Sequence, residues 1–241
     1  MIVLVTAGCG VTRTESPHFV ALLAPFEGRY REIGYQALDA AQLALAQSRL
    51  QEPIDVLAVD DGGSVESAVL RARALSSNRQ VVAVIVLGYA ATDDATLSAF
   101  GDLPVIVAGH WGATSSADNI FLMAPTELPE ALTISPRIDI LDAAALEVPL
   151  VGGEIFALEQ LADLRNDLTG ITLISSASLP DEDFRQRYLA TDAFAPEPNL
   201  IATQTYEAMH WYLDGLPPRE HPLYFYTYNE QGQLEPAEAV P

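Results

Sequence analysis

The chain has 241 residues, 49% of them apolar and 19% charged, enough hydrophobic side chain to bury the core of one large domain or two modest ones. Acidic residues outnumber basic ones 33 to 12, the basic ones are all arginine, and the net charge of −21 excludes a nucleic-acid partner and a grip on anionic lipid. The single cysteine, Cys9, excludes an internal disulfide.

The opening stretch, MIVLVTAGCGVTRTESP, sets small residues before Cys9 after a short apolar run. Two readings stand. It is either the remnant of a lipoprotein leader, with Cys9 as the acylated first residue of the mature protein, or a first β-strand or frayed terminus with an incidental cysteine. No other stretch approaches the length of a membrane span.

From there, short apolar runs alternate with helical spacing. Phe19–Ala24, Ile54–Val59, Val81–Leu87 and Val105–Val107 read as buried strands, each bounded by Gly, Pro or Asp. Between them, Gly34–Ser48, Ser64–Ser76 and Ala95–Phe100 read as helices, with Ser64 as an N-cap ahead of Glu66. Strand–helix alternation at this pace predicts an α/β fold, a doubly wound parallel sheet with helices on both faces. After Ile120–Met123 the rhythm weakens through a proline-rich stretch. Ile138–Leu141, Val148–Val151 and Ile171–Ile174 then read as strands, and Ile155–Leu168, Phe184–Ala190 and Leu200–Leu213 as helices. The close, LYFYTYNEQGQLEPAEAV, has the alternation and turn of a hairpin.

Six segments in this order resemble the type I periplasmic solute-binding proteins, the branched-chain amino acid receptors of ABC importers. They are LLAPFEGRYREIGYQALDAAQLALA, VLAVDDGGSVESAVLRARAL, VVAVIVLGYAATDDATLSAF, LPVIVAG with NIFLMAP, FRQRYLATDAFAPEPNLIATQTYEAMHWYLDG and YFYTYNEQGQ. The resemblance implies a two-lobed fold: residues 1–17 a leader remnant or linker, 18–124 with 178–222 the first lobe, and 125–177 with 223–241 the second. Members of the family run roughly a hundred residues longer. The shortfall lies between Ala124 and Glu147, so the second lobe is expected to be reduced.

In an open parallel sheet, ligands sit beyond the carboxyl ends of the strands, where loops feed helix N-termini. Pro25–Gly34 is one such loop; Arg29, Tyr30 and Arg31 either reach a ligand there or face water. The resemblance places a ligand carboxylate against Thr92 and the neighbouring amides of Tyr89 and Ala91, and the ligand head at the loop of Gly109, His110 and Trp111, where the family has small residues and a Thr or Ser. His110 and Trp111 depart from that pattern, and Trp111 reads either as a wall for an apolar, aromatic or cationic solute or as a residue that caps the cleft shut or packs between lobes. Glu154 matches the acidic residue that meets a ligand ammonium, and capping its own helix is equally compatible with its position.

Other chemistry finds little footing. Asp60 and Asp61 lack further ligands or a lysine and read as loop solvation. No glycine-rich nucleotide loop and no G-x-S-x-G elbow occurs, and His18, His110, His210 and His221 are scattered without metal spacing. The resemblance therefore implies a non-enzymatic, extracytoplasmic substrate-binding component of an ABC importer. It would need no cofactor or metal, take an amino acid or similar small polar solute, engage an ABC permease, and touch the membrane only through a lipid anchor. The alternative is a non-transport interaction or sensor protein that keeps the scaffold without a competent closed cleft.

Overall fold

A computed structural model describes residues 17–49, 53–124, 139–145, 147, 149–165 and 167–237. Cys9 and the leader-like segment around it lie outside these residues, as does 125–138, where the shortfall begins. No helix among the described residues is long and apolar enough to cross a membrane.

The first sheet contains β1 (His18–Ala24), β2 (Ile54–Asp60), β3 (Val81–Val86), β4 (Val105–Val107) and β5 (Ile120–Leu122), ordered β2-β1-β3-β4-β5 and parallel throughout. Its strands are near-continuous apolar runs because both faces are covered: Val20 to Ala24, Val84 to Leu87 and Val105 to Ala108 have essentially no exposure. The connecting helices are α1 (Arg31–Gln47), α2 (Val65–Ser77) and α3 (Asp94–Ala99). The chain steps one way from β1 to β2 and the other way to β3 and β4. With right-handed crossovers, α1 lies on one face and α2 and α3 on the other. Ser64 caps α2 as expected, its hydroxyl accepting the Ser67 N–H, and Asp93 caps α3 by accepting from Ala95.

The second sheet contains β6 (Leu150–Gly152), β7 (Ile171–Ser175), β8 (Tyr224–Tyr228) and β9 (Leu234–Pro236) in that order. Only β6 and β7 pair in parallel; β7–β8 and the terminal hairpin β8–β9 are antiparallel, so this sheet departs from the doubly wound pattern expected of it. Two expectations fail locally. Ile138–Leu141 was expected as a strand, yet α4 (Ile140–Ala145) forms because Asp139 accepts the Leu141 N–H at 2.9 Å and caps an alanine-rich turn. The helix expected over Ile155–Leu168 splits into a 3-10 turn (Glu154–Ala157) and α5 (Glu159–Leu164), because Leu158 is extended between them.

Two helices from late in the chain complete the first sheet's outer layer: α6 (Glu182–Leu189) and α7 (Leu200–Leu213). The alanine-lined face of α1 packs on α7, and Ala40 and Leu43 meet Phe184, Tyr188 and Ala202 in a satellite core. Gln36, only 1% exposed, is satisfied entirely from this late segment. Its amide donates to the Glu197 carbonyl at 2.6 Å and its oxygen accepts the Asn199 N–H at 3.2 Å.

Candidate functional site

A cavity of about 360 Å³ lies at the carboxyl edge of the first sheet. The residues following β1 (Pro25, Tyr30), β2 (Asp61, Gly63, Ser64), β3 (Gly88, Tyr89, Ala90) and β4 (Trp111) line it, and Asp139 and Ile155 face it from the far side. The volume falls in the range of small-molecule sites and equals that of roughly a dozen waters at ~30 Å³ each. A larger groove, about 880 Å³, starts at the same β1–α1 loop but runs down the outside of α1 towards Phe194, which is 93% exposed. The smaller cavity is the better candidate because it sits where four strand ends converge.

Of the residues expected at the site, Tyr89 and Trp111 line this cavity; Ala91, Thr92, Gly109, His110 and Glu154 do not. Ala91 and Thr92 are fully buried, and the Thr92 hydroxyl donates to the Gly88 carbonyl at 2.8 Å, closing the turn after β3. Trp111 both packs and lines. Its ring is 1% exposed, its Nε1–H donates to the Ala108 carbonyl at 2.6 Å, and it meets Tyr89 edge-on with centroids 5.8 Å apart.

Glu154 does not stand open to a ligand. It is 1% exposed and joins the two halves of the molecule. One carboxylate oxygen accepts the His110 N–H at 2.6 Å; the other accepts the Ser175 hydroxyl at 2.9 Å and lies 3.4 Å from His110 Nδ1. The Gln204 amide satisfies all its neighbours when its nitrogen faces Glu154, 3.2 Å away, and its oxygen accepts from Ser176 at 2.6 Å and from Gly109 N–H at 3.3 Å. One carboxylate thus collects donors from the β4 loop, the end of β7 and α7. Burial pushes the Glu154 carboxyl up, but the charge and hydrogen bonds of His110 outweigh it and hold the group below the usual carboxylate range. Two glycines make the close approach possible. A Cβ on Gly109, whose φ is +109°, would lie 2.9 Å from the Glu154 carboxylate, and one on Gly153 would collide with the His110 carbonyl.

The two loop aspartates were expected to be solvated, and the structure corrects this. Asp60 accepts N–H groups from Phe26 at 2.7 Å, Glu27 at 3.1 Å and Gly62 at 3.0 Å, fastening the β1–α1 loop to the end of β2. Asp61 is 2% exposed. The signal was present: a pair of aspartates between a strand and an N-cap serine falls on the sheet's carboxyl edge. Arg29, whose side chain stays 43% exposed, and the half-buried Tyr30 reach across to the second half of the chain. Arg29 pairs with Asp139 at 3.0 Å, and the Tyr30 hydroxyl donates to the same carboxylate at 2.6 Å while accepting the Ile140 N–H.

In the outer groove, Glu32 accepts the Glu159 N–H, capping α5 from across the interface, and the Asn199 side chain at 2.9 Å. Burial, then repulsion from Glu159 and Asp163, push its carboxyl up to about 7. A carboxyl raised in the folded state stabilises fully below its unfolded value and loses that contribution as pH rises through about 7. Between pH 6 and 8 this group alone should remove about 1–1.5 kcal/mol, roughly 3–5 °C in Tm, and Glu32→Gln should abolish that part of the slope. The half-buried His210 and His221, whose pKa values are lowered, work in the opposite sense, because folding recovers stability as their unfolded imidazoles lose protons near 6.5; the difference in slope between the two proteins isolates Glu32. Thermal melts of both proteins at pH 6, 7 and 8 decide it: an unchanged slope in Glu32→Gln removes Glu32 as the cause.

No family model and no curated protein matches this sequence. Solved structures do. The chain is similar to LivJ, the branched-chain amino acid transporter substrate-binding protein of Streptococcus pneumoniae solved with isoleucine, at 16% identity over 93% of this chain and 99% of that one, with a TM-score of 0.64. A leucine-binding protein LivK from Thermotoga maritima matches at 10% identity over 92% and 98%, also at 0.64. An ABC transporter solute-binding protein from R. palustris, solved with benzoate, matches at 14% identity over 92% and 95%, at 0.64. The chain therefore has the fold of the type I periplasmic solute-binding proteins, the fold that the sequence resemblance implied.

Proposed function

We propose that this protein is the extracytoplasmic solute-binding component of an ABC importer. It would hold an amino acid or similarly small polar solute in the 360 Å³ cavity and deliver it to a permease. The observation that carries the reading is the cavity's position. It lies at the converging carboxyl ends of a parallel sheet, and Asp139 and Ile155 from the second half of the chain also line it. We further propose that residues 18–124 with 178–222 act as one lobe and 125–177 with 223–241 as the other, and that a lipid on Cys9 holds the protein at the membrane. The work is differential binding, with no bond made or broken.

Thermal-shift screening against amino acids, small organic acids and small amines tests the reading. A solute present at a hundred times its Kd should add about 2.7 kcal/mol and raise Tm by several degrees. A broad panel without a single stabilising compound would instead favour the interaction or sensor reading, in which the scaffold persists without solute capture.

A further inference from the structure

Within that reading, the lining of the cavity narrows the class of solute. Two carboxylates face it, Asp61 from the end of β2 and Asp139 from the start of α4, and no described lining residue carries a positive charge. Asp139 already has Arg29 and the Tyr30 hydroxyl as partners. Asp61 has far less. One oxygen accepts the Gly63 N–H at 2.8 Å, while the other takes no hydrogen bond and no cation pairs with it among the described residues, although the residue is only 2% exposed. A nearly buried carboxylate with an open oxygen on a cavity wall is costly unless something positive completes it.

The other walls fit the same partner. The ring of Tyr89, edge-on to Trp111, and the phenol of Tyr30 give the cavity aromatic sides, and π-faces attract cations while their bodies bury apolar surface. A ligand carboxylate meets no cationic side chain among the described lining residues, and acidic groups crowd the entrance to α2: Asp60 accepts the Gly62 N–H, Asp61 the Gly63 N–H, and Glu66 stands in its first turn. We propose that the cavity takes an organic amine, its protonated or quaternary ammonium against the open oxygen of Asp61 and its apolar body along Tyr89 and Trp111.

Burial, reinforced by neighbouring Asp60, pushes the Asp61 carboxyl up to about 6, so ammonium binding should strengthen as Asp61 ionises. The other charged or titratable groups on the cavity wall are Asp139, with its Arg29 partner, the Tyr89 phenol, and the Tyr30 phenol, pushed up to about 12 and therefore neutral in this range.

The test is calorimetric titration of the full chain with phenethylamine, phenyltrimethylammonium, the neutral 3-phenyl-1-propanol, L-leucine, L-isoleucine and benzoate, repeated on Asp61→Asn. The amide keeps the acceptor for Gly63, so circular dichroism should show an intact fold. The expected result is that the two cations bind at least tenfold tighter than the neutral, zwitterionic and anionic probes. They should lose at least tenfold affinity in Asp61→Asn and several-fold from pH 7 to 5, while the weak affinity for the alcohol stays unchanged. Preferential binding of leucine, isoleucine or benzoate would overturn the amine assignment and leave the solute-binding reading in place. Cation binding indifferent to Asp61→Asn would overturn it as well. Silence from every probe would count against both.

Discussion

Replacing Glu154 with alanine should destabilise the protein by about 3–5 kcal/mol, lowering Tm by on the order of 10 °C. The loss comes less from the attraction forfeited than from the groups abandoned. The His110 N–H, the Ser175 hydroxyl and the Gln204 amide all point at one buried carboxylate, and water does not reach them to substitute. Glu154→Gln keeps one acceptor oxygen but turns an NH2 towards donors, so it should fall between parent and alanine. The effect is on the joint between the halves, not on the solute cavity, which Glu154 does not line. Urea denaturation of the three proteins measures it. An alanine variant within 0.5 kcal/mol of the parent would mean that the network contributes nothing to holding the halves together.

Trp111→Ala should cost a similar amount, about 3–5 kcal/mol, for a different reason. The ring is a fully buried apolar mass packed on Tyr89, and removing it opens a void and leaves the Ala108 carbonyl without its indole donor. Trp111→Phe retains much of the ring and should cost about half as much, losing chiefly the hydrogen bond and some volume. Since Trp111 also forms a wall of the cavity, the alanine variant should bind any solute of that cavity more weakly even at temperatures where it is folded. Denaturation curves of the two variants, with a titration at 15 °C, separate packing from binding. Equal stability of the phenylalanine and alanine variants would show that ring volume is not what the site needs.

Much of this architecture was legible because the chain advertises it. Continuous apolar runs such as VVAVIVL need cover on both faces, and the caps at Ser64 and the span of Leu200–Leu213 stand in the structure where local chemistry put them. The failures share a cause. Around Asp139 and Leu158, local caps and backbone act together with partners far away in the chain. Asp139 ties to Arg29 and Tyr30, and the helix after Leu158 is capped by Glu32. A window of ten residues contains neither. The site shows the same limit. Thr92 and Glu154 have the right side chains at the right distance from strand ends, yet which face of the turn they occupy is settled by Gly88, Ser175 and Gln204. Conversely, a pair of acidic loop residues looks like ordinary surface until the fold closes over Asp61.

The dependence of α1 on α7 has a consequence for how the protein is made. At translation speeds of ~5–20 residues per second, on the order of 10–30 s separate the synthesis of Gln47 from that of Leu213. Throughout that interval the alanine face of α1 has no mate and the amide of Gln36 no partner, because Glu197, Asn199 and the helix beyond them have yet to emerge. An excised piece ending near residue 124 would carry all five strands of the first sheet and still lack its lid. The nascent polypeptide must therefore wait for its last quarter before its first quarter can settle.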